Sequence, residues 1–516
     1  MGSSSALARS VRGTALIYLQ SILSTVLAAL SVYFVSTVLD LEDYGVVGLL
    51  VFLMNVLIIA GSMGLGRAAI HFVSKSLGVG DEKKARGYAF TVIKIELGLS
   101  SAILAAFLAA SHVLAATLIQ RESSLMLVQL TALTTFFIHN ATVGRSLLLG
   151  YKEYEKATVV AALQTAVGPL LEIALAYFMG MKVLGIIVAW LISGAASFAY
   201  AVKEVVPKVL GARSPVELRG LFRYALPLML HSLIFVVLVQ ADFVVLKLMY
   251  PGEQGLFYVG VMNFVHNING VVYLMILSLL SVIFPEFSSI YATKGKEGVR
   301  EASKKTSKYV ALIYLPLSFA FAALSRPIYF VVLRPEYAVG AFPTSLLLIG
   351  SSLFFLRDIV ANGYSSIGES DKTLAGGAVM VATQLAFDFI LIPGYGVVGA
   401  TIARVVGAAA CFAFFTALAS RDGILGVDLR AYAKGLASSA VMLAALYLLS
   451  VETSFLWAKE LVLVTLGFYG AVGVAIYALT IKLLRAFEAD DWSFFQALFP
   501  ERMKWVARKL FNFVCS

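Results

Sequence analysis

Asn263, His266 and Asn267 stand at i, i+3 and i+4 inside an apolar run, so a helix through them gathers three polar side chains on one face. Such a stripe is costly against lipid and must meet protein or water. It can hydrogen-bond a sugar or a phosphate, or simply join two helices. Asp242 interrupts the apolar run before it. Glu172 and Asp388 are two more acids at comparable depth, and Gln384 precedes Asp388 by one helical turn on the same face. An ionisable group at membrane depth is expensive and faces a bundle interior or a wet cavity. The cations at or near that depth are Arg67, Arg145, Arg404 and Arg357, the last beside Asp358. Arginine's planar fork suits phosphate groups. Arg357 and Asp358 are adjacent, so they point about 100° apart on a helix and are not simply each other's partners. Lys94 and Glu96 read as structural groups, as do His139 and His231.

These residues need a membrane-spanning scaffold. The chain is 60% hydrophobic and 14% charged, with a mean hydropathy of +0.90. A soluble chain of 516 residues does not have that composition. The apolar runs are continuous rather than alternating, which selects helices over a transmembrane barrel. Fourteen spans are expected, near 14–38, 44–72, 88–117, 125–148, 157–179, 183–202, 221–248, 256–284, 308–332, 342–363, 373–392, 397–419, 431–450 and 459–483. Gly168-Pro169, Pro227 and Pro316 are expected to kink three of them. Two cysteines, Cys411 and Cys515, make no disulfide framework, and no metal or cofactor pattern is present. No cleavable leader and no myristoylation motif are expected at Met1–Ala6.

The net charge of +10 is not spread evenly. Arg9, Arg12, Lys75, Lys83, Lys84, Arg86, Lys152, Lys156, Lys203, Lys208, Lys294, Lys296 and Arg300 fall at alternate ends of the spans, with Arg502 to Lys509 in the tail. The opposite linkers carry single cations such as Arg121 and Arg334. That bias places both termini in the cytoplasm and explains the charge without nucleic acid. Residues 503–514 suit a cationic helix on the inner leaflet, or a tail packed on the helix ends.

An internal repeat at an offset of about 210 to 218 residues relates the two halves. Asp40–Gly45 answers Tyr250–Gly255, and Gly180–Ile186 answers Gly394–Ala400. An even number of spans separates the copies, so the repeats are parallel. The fold class expected is an all-α polytopic membrane protein with two six-helix lobes, 1–205 and 206–425, two extra helices in 426–484 and a tail in 485–516.

Leu39-Asp40-Leu41-Glu42-Asp43-Tyr44-Gly45, then Gly64-Leu65-Gly66-Arg67 with Phe72-Val73-Ser74, then Asp242 with Gly255-Leu256-Phe257-Tyr258, Ile283-Phe284-Pro285 with Ser288, and Ile392–Ala400 follow one another along the chain. In that order they resemble the multidrug/oligosaccharidyl-lipid/polysaccharide (MOP) exporter superfamily, in its polysaccharide transporter branch. The resemblance covers about residues 8–485. It implies a flippase rather than an enzyme, moving a lipid-linked oligosaccharide on polyprenyl phosphate or pyrophosphate across the cell membrane. For such a substrate the arginines Arg67, Arg145 and Arg357 suit the phosphate, and Asn263, His266 and Asn267 suit sugar hydroxyls or a phosphate, so these six are the expected substrate contacts. In the lipid II flippase branch, acids on spans 7 and 11 and a polar residue on span 12 form a cation site. Asp242, Gln384 and Asp388 match two of its elements, but Arg404 occupies the span 12 position. An internal ion network of Asp242, Asp388, Arg404, Gln384 and Glu172 is therefore expected in preference to a sodium site. Membrane lipids are the other expected partner, and a monomer suffices because one chain holds both lobes. The alternatives are a cation-coupled drug or metabolite antiporter of the same fold and, from another class, a polytopic glycosyltransferase.

Overall fold

The structure, a computed structural model, describes residues 3–121, 124–211, 216–424, 426–457, 461–487, 491 and 508. Every regular element among them is a helix. The chain forms two compact units, Met1–Gly260 and Val261–Ser516. The expected cationic stretch 503–514 lies outside the described residues apart from Arg508.

In the first unit, α1 (Ser3–Ser36) leads into α2 (Leu41–Ser62) and α3 (Leu65–Gly78). The apolar run expected as one span over 44–72 is two helices, because Met63 and Gly64 both take positive φ, 41° and 76°. Gly64 is required there twice over. Its φ is left-handed, and a Cβ on it would stand 2.1 Å from the Ala225 carbonyl oxygen. Then follow α4 (Glu82–Leu114), closed by a π turn at Ala115–Ile119, and α5 (Leu125–Gly150). The expected bend at Gly168-Pro169 is present: α6 (Tyr154–Thr165) stops, α7 (Val167–Glu172) restarts, and a π turn covers Ile173–Phe178. Two long helices complete the unit, α8 (Lys182–Val209) and α9 (Leu218–Met249).

Small residues decide how these helices meet. A Cβ on Gly45 would lie 2.0 Å from the Leu256 carbonyl oxygen, and one on Gly260 would lie 1.8 Å from that of Leu41. Gly45, the last residue of the Asp40–Gly45 motif, and Gly260, two residues past the Gly255–Tyr258 motif, thus mark a backbone-to-backbone crossing, which holds the start of the helix after α9 against α2. Ala69, Val92, Leu147, Val205 and Ala225 form the core behind it. At one set of helix ends, Arg121 pairs with Asp43 at 2.7 Å and Glu253 at 2.9 Å. At another, Lys208 pairs with Glu153 at 2.5 Å and Lys156 with Glu204 at 2.6 Å. Each cluster joins only linkers or ends that the charge bias assigns to one face.

The second unit holds most of α10 (Glu253–Ala323), which contains the two stretches expected as spans 8 and 9 and is broken at Gly295, φ 62°. A short turn, α11 (Ser325–Pro327), precedes α12 (Ala341–Gly350) and α13 (Ser352–Ser366). Between α12 and α13, Ser351 is bridged by the Tyr314 hydroxyl at 2.7 Å. Next comes α14 (Ser370–Arg421), broken at Gly396, φ 53°, where the expected turn between spans 11 and 12 falls. The unit ends with α15 (Leu429–Glu452) and α16 (Val462–Leu483).

Eleven helical stretches among the described residues are long and apolar enough to cross a membrane. The fourteen expected spans do not map onto them one to one. Expected spans 11 and 12 share one stretch, Ser370–Arg421. Expected spans 7 and 8 fall on α9 and the first half of α10, where several side chains lie outside the description.

Candidate functional site

Arg67 of α3 and Arg145 of α5 each stand one residue from a contact between the two helices. A Cβ on Gly66 would stand 3.2 Å from the Ser146 hydroxyl oxygen, so the next residue of α3 and the preceding residue of α5 flank one near-contact. Arg67 is exposed and Arg145 is half-buried. Neither makes an ion pair with any described residue, and Arg145 Nε is buried with no acceptor among them. A half-buried guanidinium without a counter-anion has its donors free for a phosphate.

The acids of the first unit are held by donors. Asp242 on α9 is fully buried, and its Oδ1 accepts from the Phe243 backbone N–H at 3.0 Å. Glu172, at the end of α7, accepts from the Trp190 indole N–H at 2.6 Å and from the Ser31 hydroxyl. It therefore ties α1, α7 and α8 together across the proline bend.

In the second unit α14 folds back on itself at Gly396. The close approaches are Gly399 to Leu391, Gly407 to Gln384 and Gly376 to Phe415. That antiparallel register sets Arg404 level with Asp388, so the sixteen-residue spacing seen in the sequence closes across the hairpin. Gln384, Asp388 and Arg404 are all buried. Arg404 Nη1 donates to His266 Nε2 on α10. Gln384 keeps both amide atoms without a hydrogen-bond partner among the described residues. Asn263 and His266 are half-buried and Asn267 is exposed. The space around a Cβ on Gly270, one turn on, is open. The polar stripe thus has one end anchored to Arg404 and the other uncovered.

Arg357 departs from expectation. It bonds its own neighbour, Nε and Nη2 reaching Asp358 Oδ1 at 2.9 and 2.6 Å. The arginine side chain is long enough to sweep across the angle that separates adjacent helical positions, and a half-dry setting rewards doing so. Asp358 also accepts from the Tyr273 hydroxyl, and the guanidinium lies over the Phe354 ring, 5.6 Å from its centroid. Tyr273 escaped the sequence reading although it stands three residues beyond Gly270 on the same stripe.

Two further features were not foreseen. Glu96 on α4 is bonded to His139 on α5, while Lys94 is exposed. In the second unit a cavity of about 430 Å³ opens between α10 and the two C-terminal helices, lined by Leu317, Phe321, Met442, Leu466, Gly470 and Val474 among others. Its volume is in the range of small-molecule sites. Among the described residues, no group of three or more His, Cys, Asp or Glu side chains is placed to hold a metal ion.

Comparison with known proteins fits this geometry. The model of a family described as polysaccharide biosynthesis protein matches residues 10–291. An uncharacterized membrane protein of Methanocaldococcus jannaschii is 29% identical over 133 residues, 25% of this chain; the match spans 26% of that relative's length. Among solved structures, the inward-facing conformation of a multidrug resistance MATE family transporter of the MOP superfamily aligns with a TM-score of 0.68 at 20% identity, covering 78% of this chain and 95% of that one. The lipid II flippase MurJ, in an inward closed conformation, aligns with a TM-score of 0.66 at 16% identity, covering 91% and 98%. A MOP superfamily transporter from Pyrococcus furiosus, whose binding pocket is described as of reverse polarity, aligns with a TM-score of 0.56 at 19% identity, covering 80% and 93%. The chain has the fold of the MOP transporters.

Proposed function

The chain belongs to the polysaccharide biosynthesis protein family, and from that premise we propose that it flips a lipid-linked oligosaccharide, carried on polyprenyl phosphate or pyrophosphate, from the cytoplasmic to the outer leaflet. The carrying observation is the pair Arg67 and Arg145, two cations flanking one helix contact with no acid to neutralise them. Arg145, half-buried with no acid beside it, is costly in a purely structural role, whereas a lipid phosphate needs at least one such group. The uncovered part of the Asn263–His266–Asn267 stripe offers donors and acceptors to sugar hydroxyls. The apolar cavity between α10 and the two helices outside the repeat, α15 and α16, gives a polyprenyl chain a place to lie. Asp242 and Glu172 in the first unit, and Gln384, Asp388 and Arg404 in the second, are the intramembrane polar groups whose rearrangement accompanies alternating access. Arg357, held by Asp358, enters the substrate path only if that pair opens. Both termini lie in the cytoplasm, and one chain is the working unit.

The same fold serves drug transporters, but a cationic drug would want the unneutralised charge to be acidic, and here it is basic. The test is reconstitution of the purified protein with a fluorescent lipid-linked oligosaccharide. Transport by the wild type and its loss in Arg67→Ala and Arg145→Ala support the reading. Unchanged transport in both variants and in Asp242→Asn overturns the site assignment.

A further inference from the structure

The first unit buries a second titratable pair away from its arginines. Glu96 is 0% exposed and His139 3%, and His139 Nε2 lies 2.9 Å from Glu96 Oε2. One turn along α4, Ser100 accepts from the side-chain amide of Asn140 at 2.9 Å. Two successive polar rungs therefore join α4 to α5. The second rung is enough to fix the helices. The first is more than a pin, because Glu96 Oε1 is buried with no hydrogen-bond partner among the described residues. A cavity of about 10 Å³ adjoins His139, lined also by Leu57, Gly61, Ser100, Ile103 and Thr135. That is about the space one water needs, and Ser100, Thr135 and His139 are polar partners for it.

A buried carboxyl and imidazole at this distance share one proton, and either arrangement of it leaves the pair neutral overall. A second proton adds a full positive charge, which apolar walls reject but a hydrated cavity accepts. Few other charges bear on the pair. Helix α2 carries no titratable group between Tyr44 and its end, and α8 none between Lys182 and Tyr200. Lys94 on α4 is exposed, as are Arg67 and His71 on α3. Arg145 follows His139 on α5 by about 9 Å of helix rise.

We propose that Glu96 and His139 form a proton-binding site that couples transport by this chain to a proton gradient. The proton enters through the water-sized cavity when that cavity opens to one aqueous face, sits on the pair as its second proton, and leaves to the opposite face. No other group is consumed. The proposal rests on the transport reading above, but its site is separate from the arginines.

The experiment uses full-length protein in liposomes with a fluorescent lipid-linked oligosaccharide, with and without a pH step of about one unit, worth about tenfold in distribution for one coupled proton. Wild-type protein is expected to shift the distribution by up to about tenfold. Glu96→Gln and His139→Gln, which keep a hydrogen bond between the helices, are expected to equilibrate the lipid equally in both conditions. A gradient response retained in both variants overturns the proposal, as does gradient-independent transport by the wild type. If the wild type moves no lipid at all, the flippase reading fails, and an infrared titration without substrate decides this one. A carboxylic-acid band that changes with pH in the wild type and is missing in Glu96→Gln supports proton binding; its absence from the wild type refutes it.

Discussion

Arg67 and Arg145 flank the place where Gly66 of α3 and Ser146 of α5 nearly touch, and neither has an acid partner among the described residues. A half-buried guanidinium with no acid beside it costs stability unless an anion joins it, and each charged hydrogen bond to a phosphate contributes about 1.5–3 kcal/mol. Binding of a fluorescent polyprenyl-pyrophosphate sugar is therefore expected to weaken by about 10- to 100-fold in Arg145→Ala. Arg145→Lys should fall between, because lysine keeps the charge and loses the fork. Equal affinity in wild type, Arg145→Ala and the double variant with Arg67→Ala would remove the phosphate from this place.

Arg357 and Asp358 are a partly buried pair, each side chain 13% exposed. Removing one partner strands the other, at a cost of about 3–5 kcal/mol. Arg357→Ala should lower the thermal midpoint in detergent, and Asp358→Asn should do so less because the amide still accepts from Tyr273. The double change Arg357→Met with Asp358→Leu is expected to recover most of the loss. A thermal midpoint unchanged by Arg357→Ala would mean that the guanidinium is free to serve the substrate instead.

The fold was legible in the sequence because lipid imposes a simple rule, and long apolar runs obey it. The turns at Gly295 and Gly396 and the bend at Gly168-Pro169 also announced themselves. Met63-Gly64 did not, since a methionine at positive φ carries no signal and the reason for the break is Ala225, far along the chain. At the site, Gln384, Asp388 and Arg404 were found by counting, because the hairpin is local. Glu96 with His139, and Asp358 with Tyr273, were not. Their partners sit on helices whose facing depends on small-residue contacts such as Gly61 against His139, and spacing within one helix cannot supply that.

Acid is expected to loosen the corner between α13 and α14. Lys372 reaches Glu369 at 2.6 Å and Asp422 at 2.5 Å, and its ammonium holds both carboxyls below their usual range. A carboxyl whose pKa is lowered on folding gives stability that is complete above its unfolded value, near pH 4, and is lost as pH falls through the folded value. Both acids are near solvent, so the effect is modest. Thermal midpoints measured from about pH 6 down to pH 3 should decline, and Lys372→Met should flatten that decline. An identical slope in the variant would assign the acid sensitivity elsewhere.

The cavity beside α15 and α16 separates a lipid-linked substrate from a soluble one. Its wall includes Gly470, where a Cβ would meet nothing within 4 Å, and Gly473, where it would come 3.0 Å from Leu446. Gly470→Phe therefore adds bulk without forcing a clash, and burying the ring in an apolar space does not destabilise the unit. If the cavity takes the polyprenyl chain, this variant should lose transport of long-chain lipid oligosaccharides by several-fold and keep that of analogues with one or two isoprene units. Thermal stability should be equal to or above the wild type, which excludes misfolding as the cause. Equal transport of long and short chains would leave the tail in the bilayer throughout and make the cavity a packing defect between the repeat and its two added helices.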